Sequence, residues 1–142
     1  MSDLSVRSMR EDDLAAVRAI QAQSPEASQW TPSDYLRHAA YVAEAAGHVV
    51  GFLVLQVLGE DEAEVLNLVV DADYRRRGVA RGLLLASSGP RTLFLEVRES
   101  NDAARGFYRS LDFIETGRRR DYYRFPPEDA IVLTRPSPLG NK

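Results

Sequence analysis

The chain contains no cysteine. That absence excludes disulfides, a thiolate nucleophile and thiolate-ligated metals together. Histidine is scarce as well. His38 and His48 are the only two, far apart and poorly partnered, so both are expected at the surface and no metal site is expected. Lysine occurs once, at Lys142, and arginine carries the remaining basic charge, a bias read as genomic rather than functional. There is no basic excess: the formal net charge is −3, which argues against general nucleic-acid binding. No apolar run approaches the ~20 residues that span a membrane, so no membrane partner is expected. The opening MSDLSVRSMREDDL lacks the apolar core of a signal peptide. The cytoplasm is the expected compartment.

What is present is the ordinary mixture of a globular protein, 142 residues with 44% hydrophobic and 27% charged. One domain over residues 1–136 is expected, with a frayed tail at 137–142. Val6 marks a short first strand. Leu14, Val17, Ala19 and Ile20 recur at helical spacing and predict a helix from about Glu11 to Gln23. A Ser/Pro-containing loop, Ser24 to Gln29, follows. Thr31-Pro32-Ser33-Asp34 reads as the start of a second, short helix ending near Ala40. The period then changes. Tyr41–Ala46 and Val49–Leu58 read as strands joined at Gly47-His48, and Ala63–Val70 as the next strand. A helix over Gly78–Ala86 and a strand over Thr92–Val97, buried on both faces, come next. Ser100-Asn101 can cap a helix running to Leu111, with Ala104, Phe107, Tyr108 and Leu111 on one face. Phe113–Thr116 and Ala130–Leu133 close the chain as strands. The order β-α-α-β-β-β-α-β-α-β-β describes one mixed α/β sheet.

Between the strand LNLVV and the helix beginning GVARGLLL lies Arg75-Arg76-Arg77-Gly78. A glycine at that junction leaves backbone N–H groups free at a helix N-terminus, where the dipole favours an anion. Ala80 is small where a ligand's backbone would pass, and the first two arginines can flank a phosphate. Only a few such N–H groups exist at one helix end, so the loop suits one diphosphate better than a polymer. A plain solvated loop with a surface arginine run is the alternative from these residues alone.

The wider segment LNLVVDADYRRRGVARGLL resembles the acetyl-CoA-binding segment of the GNAT superfamily of N-acetyltransferases, whose Gln/Arg-x-x-Gly-x-Gly/Ala loop is matched by Arg75, Gly78 and Ala80. The resemblance implies the GNAT fold: a mixed, mostly antiparallel central sheet with helices on both faces. It implies acetyl-CoA as co-substrate, with pantetheine contacts on Leu68, Val69 and Val70. Diphosphate contacts would fall on Arg76, Arg77, Gly78, Val79, Ala80 and Arg81, with Arg75 as the first residue of the loop pattern.

Downstream, TLFLEVRESNDAARGFYRSLDF places Glu96 at the end of an otherwise apolar strand, on the same side as Phe94. A carboxylate there is costly unless paired or near water. It suits general-base work on an amine, because an ammonium cannot attack a thioester. Tyr108 could protonate the departing thiolate. The plainer readings are a strand-end carboxylate paired with Arg98 or another surface arginine, and a tyrosine that is simply core. The stretch closely resembles the bacterial ribosomal-protein-alanine N-acetyltransferases, whose pattern Leu-Glu-Val-Arg-x-Ser-Asn followed by Tyr-x-x-Leu-Gly-Phe is met by Leu95 to Asn101 and by Tyr108 to Phe113. That resemblance implies Glu96 as base, Tyr108 as acid and a CoA-arm contact at Asn101. Gln29-Trp30-Thr31 matches near the acceptor loop, so Trp30 is the expected acceptor-site wall. Tyr122-Tyr123 and Glu128-Asp129-Ala130 match as well.

Three departures stand out. The helix after Gly78 is short. Asp112 replaces a glycine as helix terminator, which requires a left-handed aspartate. The acceptor-side region Thr31–Tyr41 is compact. Arg118-Arg119-Arg120 is expected as a solvated strand end rather than an RNA contact. Glu60-Asp61-Glu62 with Glu64 is expected as a solvated hairpin, with long-range steering of a basic peptide as the alternative. The expected reaction is direct acetyl transfer to a primary amine, most simply a protein N-terminal α-amine. A small-molecule amine acceptor (polyamine, amino acid or aminoglycoside) and a non-catalytic acyl-CoA-binding module are the alternatives.

Overall fold

The structure is a computed structural model and describes residues 4–24 and 30–138. Most of the loop expected at Ser24–Gln29, and residues 139–142 of the expected tail, lie outside the described residues. Within them the chain forms two compact units that interleave in sequence: Met1–Val57 with Val65–Gly89, and Leu58–Glu64 with Pro90–Lys142. Seven strands hydrogen-bond in the order β1-β2-β3-β4-β5-β7-β6. Among the described residues no helix is long and apolar enough to cross a membrane.

The first unit holds β1 (Ser5–Ser8), α1 (Leu14–Ala22), β2 (Ala39–Ala45), β3 (His48–Val57), most of β4 (Glu62–Val70) and α2 (Val79–Ser87). β1 pairs antiparallel with β2, and β2 with β3. The hairpin turn is Ala46-Gly47, both left-handed at φ 52 and 82, one residue earlier than expected. Two consecutive positive φ values make a turn whose twist matches the flanking strands. The apolar stripe of α1 buries Val17 and Ile20 against Val42, Phe52, Val54 and Val69, each such burial contributing roughly 1.5–3 kcal/mol. The expected second helix is 3-10 rather than α. It covers Pro32–Arg37, and Thr31 makes no side-chain cap bond. Six residues ending where β2 begins leave no length for further α turns.

The second unit holds the start of β4, then β5 (Thr92–Arg98), α3 (Asp102–Arg109), β6 (Ile114–Arg124) and β7 (Pro127–Arg135). Here β4 and β5 run parallel through Glu62↔Thr92, Ala63↔Leu93 and Glu64↔Phe94. β7 lies antiparallel to both β5 and β6. β5 alternates rather than being buried on both faces: Leu93, Leu95 and Val97 are buried, while Thr92, Phe94, Glu96 and Arg98 are half-buried. Asp112 ends the α3 segment left-handed at φ 74, as expected. Phe113 N donates to the Tyr108 carbonyl at 3.1 Å across that turn. β6 runs far past the expected Thr116, through the arginines and both tyrosines. It is an edge strand and nearly all exposed, so it lacks the apolar alternation by which a strand is recognised in sequence.

Candidate active site

In the first unit the sequence places a left-handed glycine directly before α2. Gly78 has φ 82 and ψ 11, and the first helical bond runs from Gly82 N to the Gly78 carbonyl at 2.9 Å. Arg76 is also left-handed, at φ 65. The N–H groups of the first α2 turn have no partners within the helix, and they carry its positive dipole end. The three arginines have separate duties. Arg75 turns back, donating from Nε to the Val70 carbonyl at 3.4 Å and from its terminal nitrogen to Ser24 Oγ at 3.2 Å. Arg77 lies over the Tyr74 ring at 5.2 Å, and both Arg76 and Arg77 are exposed. Val79 and Ala80 are buried, which seats the helix.

What seats it so closely is Gly51 on β3, a residue the sequence reading did not single out. A Cβ there would meet Val79 Cγ1 at 3.0 Å and the Val69 carbonyl oxygen at 3.2 Å. Leu68, Val69 and Val70 are buried at the end of β4. Beside them sits a buried polar network. The Tyr35 hydroxyl donates to Gln21 Oε1, Asn67 Nδ2 donates to the Tyr35 oxygen at 2.9 Å, and Gln21 Nε2 donates to the Trp30 carbonyl at 2.8 Å. Burial pushes the Tyr35 phenol up, with Asn67 opposing. Trp30 is 38% exposed. It packs near Tyr35 at 6.5 Å and edge-on to His38 at 6.2 Å, so His38 has an aromatic partner rather than being merely a surface residue. Gln29 lies outside the described residues.

In the second unit Glu96 projects from the half-buried face of β5. Its carboxylate is ion-paired with Arg119, one of the alternatives raised from the sequence, with the partner drawn from β6. Arg98 is not that partner: it pairs with Glu128 at 3.2 Å and stacks over Tyr123 at 4.3 Å. The Tyr122 hydroxyl bonds Glu96, which with the carboxylate's charge raises the phenol above its ordinary value. The parallel register puts Glu64 on the same face as Phe94 and therefore Glu96. Glu64 is half-buried rather than a solvated hairpin residue. Burial, then the charge on Glu96, pushes its carboxyl up, and Arg119 opposes both. The signal for Glu64 was its place between buried Ala63 and Val65. Arg119 gave none, because its role depends on a register across β7, and Tyr122 was matched only as part of the Tyr122-Tyr123 pair, with no role attached.

Tyr108 is buried beside Phe107 and Phe113, with ring centroids at 5.0 and 5.3 Å. Desolvation raises its phenol well above 10.0. Asn101 caps α3, its Oδ1 accepting from Ala104 N at 3.1 Å. Among the described residues no group of three or more metal-ligating side chains is found.

The sequence profile of the Acetyltransferase (GNAT) family matches residues 6–113. The chain belongs to this family. Among the relatives of this GNAT protein, the [ribosomal protein bS18]-alanine N-acetyltransferase of Escherichia coli is 36% identical over 145 residues, covering 93% of this chain and 97% of that one. The N-alpha-acetyltransferase RimI of Mycobacterium tuberculosis is 38% identical over 122 residues, 76% of each chain. In solved structures, the ribosomal-protein-S18-alanine N-acetyltransferase from Escherichia coli superposes with a TM-score of 0.73 at 32% identity, over 98% of this chain and 97% of that one. This GNAT chain is an N-acetyltransferase.

Proposed function

We propose that the enzyme moves the acetyl group of acetyl-CoA onto the N-terminal α-amine of a protein, an alanine-starting ribosomal protein being the acceptor class. The observation that carries this is the match, over nearly the whole chain, to relatives named for that reaction. In this reading most of the co-substrate contacts fall in the first unit. The α2 N-terminal N–H groups from Gly78 to Arg81, with Arg76 and Arg77, take the diphosphate. Leu68, Val69 and Val70 run along the pantetheine arm, and backbone N–H near Val70 polarises the thioester carbonyl. Arg75 contributes by holding the strand end to the loop, through its bond to the Val70 carbonyl. Asn101 meets the CoA arm through its amide nitrogen, and Trp30 walls the acceptor.

The second unit supplies the proton chemistry. Glu96 takes a proton from the acceptor ammonium, freeing the nitrogen lone pair. The nitrogen attacks the thioester carbon, the C–S bond breaks, and Tyr108 gives its proton to the leaving sulfur, while the nitrogen sheds its second proton to solvent, from which the Tyr108 phenolate is reprotonated. The chain has no cysteine to carry the acetyl group, so transfer is direct. The compartment that fits this reading is the cytoplasm.

The test is mass spectrometry after incubation with acetyl-CoA. One arm carries a peptide copying a ribosomal-protein N-terminus that starts with alanine. The other carries a panel of polyamines, amino acids and aminoglycosides. Acetyl added at the peptide α-amine, with the small amines untouched, is the expected result. A small amine acetylated in its place would overturn the acceptor, and no CoA release with any amine would leave a binding module.

A further inference from the structure

Glu96 keeps 12% of its side-chain surface, whereas its partner Arg119 keeps 60%. One member of the pair is anchored and the other is free to leave. Their geometry is fixed by β7: Glu96 pairs with Val132 on one side and Arg119 with Ala130 on the other. Both side chains therefore stand on one face and meet diagonally across that strand. The neighbouring Arg118 is held elsewhere, by Glu99 and Asp129 at 2.9 Å each. Just beyond Arg119 the β6 register slips before Tyr123, and Asp121 is left-handed at φ 52. The slip delivers Tyr122 to the same carboxylate, with its ring 5.8 Å from the Arg119 guanidinium. Glu64 supplies a second carboxylate on this face, paired in register with Phe94 and close enough to Glu96 that the Glu96 charge helps push its carboxyl up.

An amine acceptor arrives as a cation. What it meets is a carboxylate pair and an aromatic ring already satisfied by another cation, on a long and mostly exposed side chain. Ammonium and guanidinium are recognised by the same partners, a carboxylate oxygen and a π-face. We propose that Arg119 is the exchangeable counter-ion of Glu96, occupying the acceptor's ammonium position in the free enzyme and leaving when the acceptor binds. This rests on the reading of Glu96 as the group that receives the amine. The exchange keeps the half-buried carboxylates compensated between turnovers. It also favours nucleophiles that bring a charge to trade over neutral ones such as water.

The test compares wild type, Arg119→Ala and Arg119→Lys with the alanine-starting peptide. If Arg119 competes with the acceptor, its removal lowers the acceptor KM by about two- to fivefold, the range an exposed ion pair supports. The acetyl-CoA KM stays where it is, and Arg119→Lys returns the acceptor KM toward wild type. A second measurement needs no catalysis. Methylguanidinium titrated into Arg119→Ala shifts the backbone amide resonances of Val97 and Val132 saturably, and it does so neither in wild type nor in Arg119→Ala/Glu96→Gln. An unchanged or raised acceptor KM in Arg119→Ala overturns the proposal. So does a titration that leaves Arg119→Ala unmoved or that is indifferent to Glu96. Failure of the acceptor assignment looks different: wild type then acetylates no α-amine, while the titration still reports whether the position takes a cation.

Discussion

Burial of the Tyr108 ring between Phe107 and Phe113 raises its phenol above 10.0, so the side chain stays protonated wherever the enzyme works. The fold holds that proton more tightly than the unfolded chain does. The stabilisation is therefore present below pH 10 and is lost only as pH rises beyond it. A protonated phenol is the form a general acid needs. Tyr108→Phe removes the hydroxyl and keeps the ring, so kcat is expected to fall by about 10²-fold or more with the melting temperature little changed. No alkaline loss of kcat belonging to Tyr108 is expected below pH 10 in wild type. Unchanged turnover of the variant at saturating substrate assigns the residue to packing alone. Of the proposed site residues, Glu96 stood out as a carboxylate in an apolar strand, whereas the helical spacing of Tyr108 reads as core and its proposed role comes from the family motif. The partner of Glu96 was not legible, since Arg119 lies in a run of three arginines and only the β7 register selects one of them.

At the scale of elements, the junction of β4 and α2 depends on a residue in a different strand. Gly51 lets Val79 approach β3 with no side chain between. A methyl group at 3.0 Å from Val79 Cγ1 and 3.2 Å from the Val69 carbonyl oxygen must displace one or both, and overpacking of this kind costs roughly 1–3 kcal/mol. Gly51→Ala is expected to lower the unfolding free energy by that amount. It is also expected to raise the acetyl-CoA KM more than the acceptor KM, because the displaced atoms belong to the strand and helix assigned to the co-substrate. Chemical denaturation and initial-rate kinetics check the two effects, and a variant as stable as wild type with both KM values intact refutes them. The element boundaries most legible in sequence were those written in local chemistry: Gly78 before α2, Asn101 capping α3, Asp112 ending it. The least legible were set by the surroundings. Pro32–Arg37 has helix-start signals but too little room before β2, and β6 is an edge strand whose arginines hide its period.

Across the molecule, the order of strands and helices followed from the alternation of two- and 3.6-residue periods, and the family from motifs that span both compact units. The proposed reaction divides between two sets of residues, Leu68 to Val70, Arg75 to Arg81 and Asn101 for the co-substrate, and Glu96 with Tyr108 for proton transfer. That division is the central claim, and it makes binding and chemistry separable. The most direct measurement is calorimetry of acetyl-CoA binding to Glu96→Gln, paired with single-turnover acetylation of the alanine-starting peptide by the same protein. The account predicts acetyl-CoA affinity equal to wild type and a transfer rate lower by about 10²- to 10⁴-fold, the usual contribution of a general base. Full transfer by Glu96→Gln, or acetyl-CoA affinity lost along with the rate, would contradict it.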